Sequence, residues 1–202
     1  MITRLFVKTE RSKCKGLEIM LKIDPGVKEE LLERIAKRSQ DKSPRGSVIK
    51  VKSRVIHHMQ MKAEADGFAF ISDEGETVGG YGAGPAPLRY FLAGVMMCHQ
   101  VWCVKAAALL DARLESVEGN INGHLSPDGA YSKEDIENFF ERISYEVAIS
   151  SPEEPAKIIA VVEKACLRCP AFGTVKLAVP IDLKVVHNGN VILEKNLTPS
   201  KR

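Results

Sequence analysis

The chain has 202 residues, of which 45% are hydrophobic and 27% charged, with five cysteines and a net charge of +3. That much apolar material fills a core without crosslinks, which excludes a disordered chain and argues against a secreted disulfide framework; the odd number of thiols argues the same way. The first residues carry no apolar signal segment, and no run reaches the roughly 20 apolar residues of a membrane span, so a soluble cytoplasmic protein with no membrane association is expected.

Charge is unevenly placed. Residues 1–62 hold 16 Lys and Arg against 7 Asp and Glu, and the remainder holds 13 against 19. A basic first third can meet nucleic acid, but its charges are scattered among apolar and acidic residues with no aromatic interleaving. They read as a solvated face, and a nucleic-acid partner is not expected.

In chain order, Leu17–Ile23 has the composition of a strand. Asp24-Pro25 then forms a cap and first-turn proline for a short helix over residues 25–38, with Leu31, Leu32 and Ile35 as its apolar stripe. Residues 39–46 (SQDKSPRG) read as a linker, which divides the chain into an N-terminal extension (1–46) and a main domain (47–202). Val48 to Ala65 alternates loosely, and Asp66-Gly67 turns it into Phe68–Ile71. His57 and His58 fall in that strand pattern with rings on opposite sides, against a shared metal.

GGYGAG (79–84) has the look of a dinucleotide fingerprint but runs into Pro85-Ala86-Pro87 without a βαβ context, so a flexible loop is expected. From Pro87 to about Asp111 comes a long helix whose stretch between Arg89 and Lys105 contains no ionisable side chain but Tyr90, His99 and the thiols. A helix apolar on nearly all sides belongs inside protein. Leu114–Leu125 is strand-like, and Phe140–Ser150 puts Ile143, Tyr145, Val147 and Ile149 on one face. Ser151-Pro152-Glu153-Glu154 has the pattern of a capping box opening a second helix, which Pro170 ends. Val175 to His187 alternates again, and Asn188-Gly189 turns it back. Strands in hairpins with single helices between them predict an α+β fold with antiparallel sheet.

The chemistry lies in the thiols. A thiolate that attacks a peroxide becomes a sulfenic acid, and a second thiol can condense with it to a disulfide. Cys98 sits mid-helix, about 16 Å from the helix start, beyond the reach of its dipole, so a lowered pKa there needs a nearby cation. Taken alone, it reads as a small buried hydrophobe. Cys169 falls at a helix C-terminus, where the dipole disfavours a thiolate. Cys166 and Cys169 have CxxC spacing, but a structural zinc site usually takes a second pair; Cys103 or His99 would have to complete it, and no metal is expected. Cys103 and Cys14 read as inert.

Gly84-Pro85-Ala86-Pro87, Tyr90-Phe91-Leu92-Ala93 and Cys98 resemble the first helix of the OsmC/Ohr proteins, the osmotically inducible and organic hydroperoxide resistance family. The Ser151-Pro152-Glu153-Glu154 helix closing in Cys169-Pro170 resembles that family's second helix. Leu114 to Gly119 and Val179-Pro180-Ile181 fit as well, so the likeness runs over roughly residues 47–187 in the right order. It implies antiparallel sheet wrapped around two central helices and an intertwined homodimer. It further implies thiol-dependent reduction of organic hydroperoxides or hydrogen peroxide, with Cys98 peroxidatic and Cys169 resolving. No cofactor is implied beyond an external reductant, a dithiol or, in the Ohr branch, a lipoylated protein.

One position departs from the pattern. Where the family carries a glutamate that orders a catalytic arginine, this chain has Leu88 and Arg89. Arg89 can supply the cation, but about 13 Å of helix and nearly half a turn separate it from Cys98, which suits a contact across a dimer interface. Arg45 resembles the loop arginine of the Ohr branch, and Arg54 is another candidate. The alternative reading is a scaffold of the same fold that has lost its activating pair and binds a small apolar ligand or a protein partner.

Overall fold

The computed structural model describes residues 21–41, 43, 46–126, 131–134, 138–178 and 180–197. Arg45, Cys14 and most of the first expected strand lie outside them. The elements run α1 (Gly26–Gln40), β1 (Lys52–His57), β2 (Gln60–Ala65), β3 (Phe68–Ser72), α2 (Pro87–Leu109), β4 (Ser116–Leu125), β5 (Phe140–Ser150), α3 (Pro155–Arg168), α4 (Pro170–Ala178), β6 (Ile181–His187) and β7 (Asn190–Leu197). The α+β class is as expected from the sequence.

Two sheets form. Strands β1-β2-β3 make an antiparallel meander, and β4-β5-β6-β7 make a four-stranded sheet. The expectation of purely antiparallel sheet needs one correction: β5 and β6 pair in parallel, Ile143 opposite Ile181 through Ile149 opposite His187. A parallel pair requires a crossover connection, and α3 and α4 are that crossover. Along β5 the predicted alternation is exact in effect: Ile143, Tyr145, Val147 and Ile149 are all buried.

The stretch Val48 to Ala65, expected as one loose strand, splits at a turn after His57. His58 takes a positive φ of 51° there. Its ring therefore does not oppose that of His57; both pack on Tyr81, with centroids 5.6 and 5.5 Å away. The Asp66-Gly67 and Asn188-Gly189 turns form where expected, with Asp66, Gly67, Asn188 and Gly189 all at positive φ.

The glycine-rich segment is clamped and not loose. Buried Asp73 accepts the backbone N–H groups of Tyr81 and Ala83 on Oδ2, both at 3.2 Å, and Ser72 Oγ donates to the Pro85 carbonyl at 3.0 Å. A Cβ on Gly80 would sit 2.0 Å from the Glu74 carbonyl oxygen, and one on Gly84 2.4 Å from that of Ile71. Only glycine lets the loop approach β3 so closely. Tyr90 completes the join, its hydroxyl donating to the Ile71 carbonyl at 2.7 Å. The start of α2 is thereby fixed against the small sheet.

The second helix begins later than its capping-box pattern suggests. Ser151 Oγ does accept the Glu153 N–H at 3.1 Å, but it also donates to the Arg113 carbonyl at 2.6 Å, and the helix starts at Pro155. Buried Ser151 serves the β4 approach as well as a turn, so the local signal is spent before the helix opens. Pro170 does not end helical structure either. It is the first residue of α4, where a missing N–H costs nothing, and residues 175–178, expected as strand, complete that helix.

The core lies between the four-stranded sheet and the helices α2, α3 and α4. Ile158, Val161, Val162 and Ala165 on α3 meet Cys103, Ala106 and Ala107 on α2, with β5 and β6 beneath. α1 lies on the far end of α2, where Lys28 Nζ reaches both carboxylate oxygens of Asp111 at 2.6 Å. By length and composition α2 could cross a membrane, yet its buried side packs on protein. The rest of the helix departs from the expectation of burial all round: Leu88, Phe91, Met97 and Val101 are 46–54% exposed. Leu88 and Phe91, three apart, and Met97 and Val101, four apart, form two exposed apolar pairs along the helix.

Candidate functional site

The site gathers where the middle of α2 meets the break between α3 and α4. Cys98 and His99 come from α2, Cys166 from the last turn of α3, Cys169 from the break, Phe172 from α4 and Tyr145 from β5. The thiols of Cys98 and Cys169, 71 positions apart in the sequence, are brought close enough for Cys98 to act on the titration of Cys169. All four described cysteines are free thiols.

Cys169 occupies a double position. Its N–H closes the last turn of α3 on the Ala165 carbonyl at 2.9 Å, and its Sγ accepts the Phe172 N–H at 3.4 Å. The sulfur is therefore the cap of α4. The C-terminus of α3 sets an unfavourable dipole against the sulfur, and the N-terminus of α4 sets an opposing one. Burial still wins. It pushes the Cys169 thiol up to about 11, with the Phe172 and Ala171 N–H groups pulling the other way and the Cys98 thiol adding to the rise. Cys169 is thus a protonated partner waiting beside Cys98.

Behind this pair lies a second polar group that the sequence hardly announces. His99 is fully buried, with Tyr145 Oη 3.2 Å from Nδ1, Cys166 Sγ 3.4 Å from Nε2 and Cys103 Sγ 3.6 Å from Nδ1. The Phe172 ring lies 4.9 Å from the imidazole and the Tyr145 ring 5.2 Å, edge-on. Desolvation holds His99 neutral, its pKa lowered to about 4. A neutral imidazole donates from one nitrogen and accepts at the other, and here both nitrogens have a partner. Burial raises Cys166 to about 12 against the pull of Lys176 and Lys195, and raises Cys103 and Tyr145 as well. Among the described residues, no group of three or more His, Cys, Asp or Glu is arranged to hold a metal.

The signal for this cluster was Tyr145 itself. A tyrosine in register with Ile143, Val147 and Ile149 buries a hydroxyl, and a buried hydroxyl needs a partner. Which partner no local pattern tells.

Titration of His99 has a measurable consequence. The unfolded chain binds its proton near pH 6.5 and the folded one near pH 4. Between those values the unfolded state holds more protons, so stability rises with pH: the contribution is complete above about 6.5 and is lost as pH falls toward 4. Its size is about 3 kcal/mol. Urea midpoints between pH 7.5 and 4.5 should fall accordingly, and the fall should flatten in His99→Gln. An equally steep fall in the variant would remove His99 as the cause.

Of the other candidates, Arg89 lies exposed on the first turn of α2, its backbone N–H donating to the Ala86 carbonyl at 2.9 Å and its side chain making no ion pair among the described residues. Arg54 lies exposed on β1. Neither is brought to Cys98 within one chain.

The sequence model for OsmC-like proteins matches residues 80–184, slightly more than half of the chain and spanning both thiol-bearing helices. The chain belongs to the OsmC-like family. Solved structures agree on the fold. An OsmC-like protein from Mycoplasma pneumoniae superposes with a TM-score of 0.61 at 19% identity, covering 71% of this chain and 99% of its own. An organic hydroperoxide resistance protein from Elizabethkingia anophelis gives 0.57 at 15% identity over 71% and 100%. A protein from Legionella pneumophila, described as an organic hydroperoxide resistance protein OsmC and predicted redox protein, gives 0.52 at 17% over 70% and 99%. Among curated proteins, none matches the chain in sequence. At such identities the shared property is the OsmC-like fold, and the chemistry of this chain has to be argued from its own thiols.

Proposed function

We propose that this OsmC-like protein is a thiol-dependent peroxidase acting on organic hydroperoxides or hydrogen peroxide. The observation that carries the reading is the approach of Cys98 and Cys169, with Cys98 partly open and Cys169 1% exposed. The thiolate of Cys98 attacks the terminal peroxide oxygen and releases an alcohol or water, becoming a sulfenic acid. The Cys169 sulfur then displaces hydroxide from it, so that water leaves and a disulfide remains. An external dithiol, such as a lipoylated protein, reduces that disulfide, and no bound cofactor takes part. Such a cycle suits the reducing cytoplasm, where both thiols are regenerated. The relatives described as hydroperoxide resistance proteins support the same class of chemistry.

The test is consumption of cumene hydroperoxide by the reduced protein. Loss should saturate with peroxide and require a dithiol for more than stoichiometric turnover. Loss at the rate of the dithiol alone would overturn the reading.

The active unit in this reading is a homodimer. Two exposed apolar pairs on α2, Leu88 with Phe91 and Met97 with Val101, support it, since a soluble chain rarely leaves so many large apolar side chains of one helix in water. Arg89, next to Leu88, becomes the cation for Cys98 of the second copy. Met97→Lys should therefore shift the protein from dimer to monomer in sedimentation and lower peroxide turnover with it. A monomeric wild type would dismiss the arrangement.

A further inference from the structure

Cys166 has no part in the two-thiol cycle, yet its placement is not that of an inert buried thiol. It lies three residues before Cys169, on the final turn of α3. Helical geometry puts the two Cα atoms about 5 Å apart, within the usual disulfide range of roughly 4.4 to 6.8 Å. The chain leaves the helix at Cys169, where ψ is 115°, so the Cys169 side chain turns without disturbing the turns before it. Cys169 thus has two sulfur neighbours: Cys98 across the helix interface and Cys166 along its own chain.

The surroundings of Cys166 are those of a thiol that exchanges. His99 Nε2 is 3.4 Å from its sulfur, within hydrogen-bond range. Burial pushes the Cys166 thiol up, and Lys176 from α4 and Lys195 from β7 offset part of that rise, against Glu163 on α3 and the neighbouring Cys169. Unlike Cys169 and Cys103, it is partly open to solvent.

We propose that Cys166 is a third redox thiol: once turnover has joined Cys98 to Cys169, the Cys166 sulfur attacks the Cys169 sulfur, forming a Cys166–Cys169 disulfide and releasing Cys98. One S–S bond forms and one breaks, so nothing is oxidised or reduced overall. Cys166 gives up a proton to solvent and Cys98 gains one. The oxidising equivalent moves to the end of α3, and Cys98 is free to meet a second peroxide before any reductant arrives. This inference rests on the peroxidase reading above, which supplies the first disulfide.

The experiment has two arms. In the first, fully reduced protein receives excess cumene hydroperoxide and dimedone without reductant, and disulfides are located by peptide mapping. Wild type should take up two equivalents per chain, ending with Cys166 bonded to Cys169 and a dimedone adduct on Cys98. Cys166→Ser should stop at one equivalent, with Cys98 bonded to Cys169. A wild type that stops at one equivalent with the Cys98–Cys169 bond alone overturns the relay and leaves the peroxidase reading standing. In the second arm, Cys98→Ser is oxidised with diamide, which needs no peroxide chemistry. A Cys166–Cys169 disulfide is expected there, and its absence overturns the relay on geometry. No peroxide uptake by wild type overturns the peroxidase reading and the relay with it.

Discussion

Cys98→Ser should lose peroxide turnover by a thousandfold or more, to the rate of the dithiol alone. A serine hydroxyl is a far weaker nucleophile than a thiolate at neutral pH. The magnitude is on the order of a thousandfold because removal of a nucleophile leaves only what the rest of a site contributes. Cys169→Ser should fail differently. Its first turnover survives, because Cys98 is intact, but the sulfenic acid finds no neighbouring thiol, and one dimedone adduct per chain accumulates on Cys98. The paired outcome separates the roles of the two sulfurs. Equal slow consumption by wild type and Cys98→Ser would instead favour a binding scaffold on the same fold.

Phe172→Ala should destabilise the protein by roughly 3 to 5 kcal/mol, as expected for a buried aromatic truncated in a close-packed core. Phe172 is 1% exposed and lies against both the His99 and Tyr145 rings. It is also where α4 meets α2, through its ring contact with His99. Without its ring a cavity opens beside His99, and α4 loses its anchor just where the Phe172 N–H caps the Cys169 sulfur. Urea unfolding should show the loss as a lower midpoint at unchanged slope, and disulfide formation between Cys98 and Cys169 should slow even below the unfolding transition. A loss under about 1 kcal/mol would mean that the neighbours close the gap, and that the ring does not hold the two helices together.

Much of the fold was legible because it is local. The alternation in β5, the Asp66-Gly67 and Asn188-Gly189 turns, and the long uncharged helix each depend on side chains a few residues apart, where periodicity and turn preference act directly. The misreadings share one cause. Ser151 looked like a helix cap until its hydroxyl was claimed by Arg113, and residues 175–178 looked like strand until packing against α2 made them helix. In each case a tertiary partner outweighed a local preference of a few tenths of a kcal/mol to about 1 kcal/mol.

By itself the sequence determined the α+β class, the two thiol-bearing helices, and the family resemblance that pairs Cys98 with Cys169. Only the tertiary structure decided what surrounds those sulfurs. It put a second helix N-terminus under Cys169, buried His99 between Tyr145 and Cys166, and left two apolar pairs on α2 without cover. The physical reason is that desolvation and hydrogen bonding act through space, between residues that are tens of positions apart in the sequence and become neighbours only when the core closes.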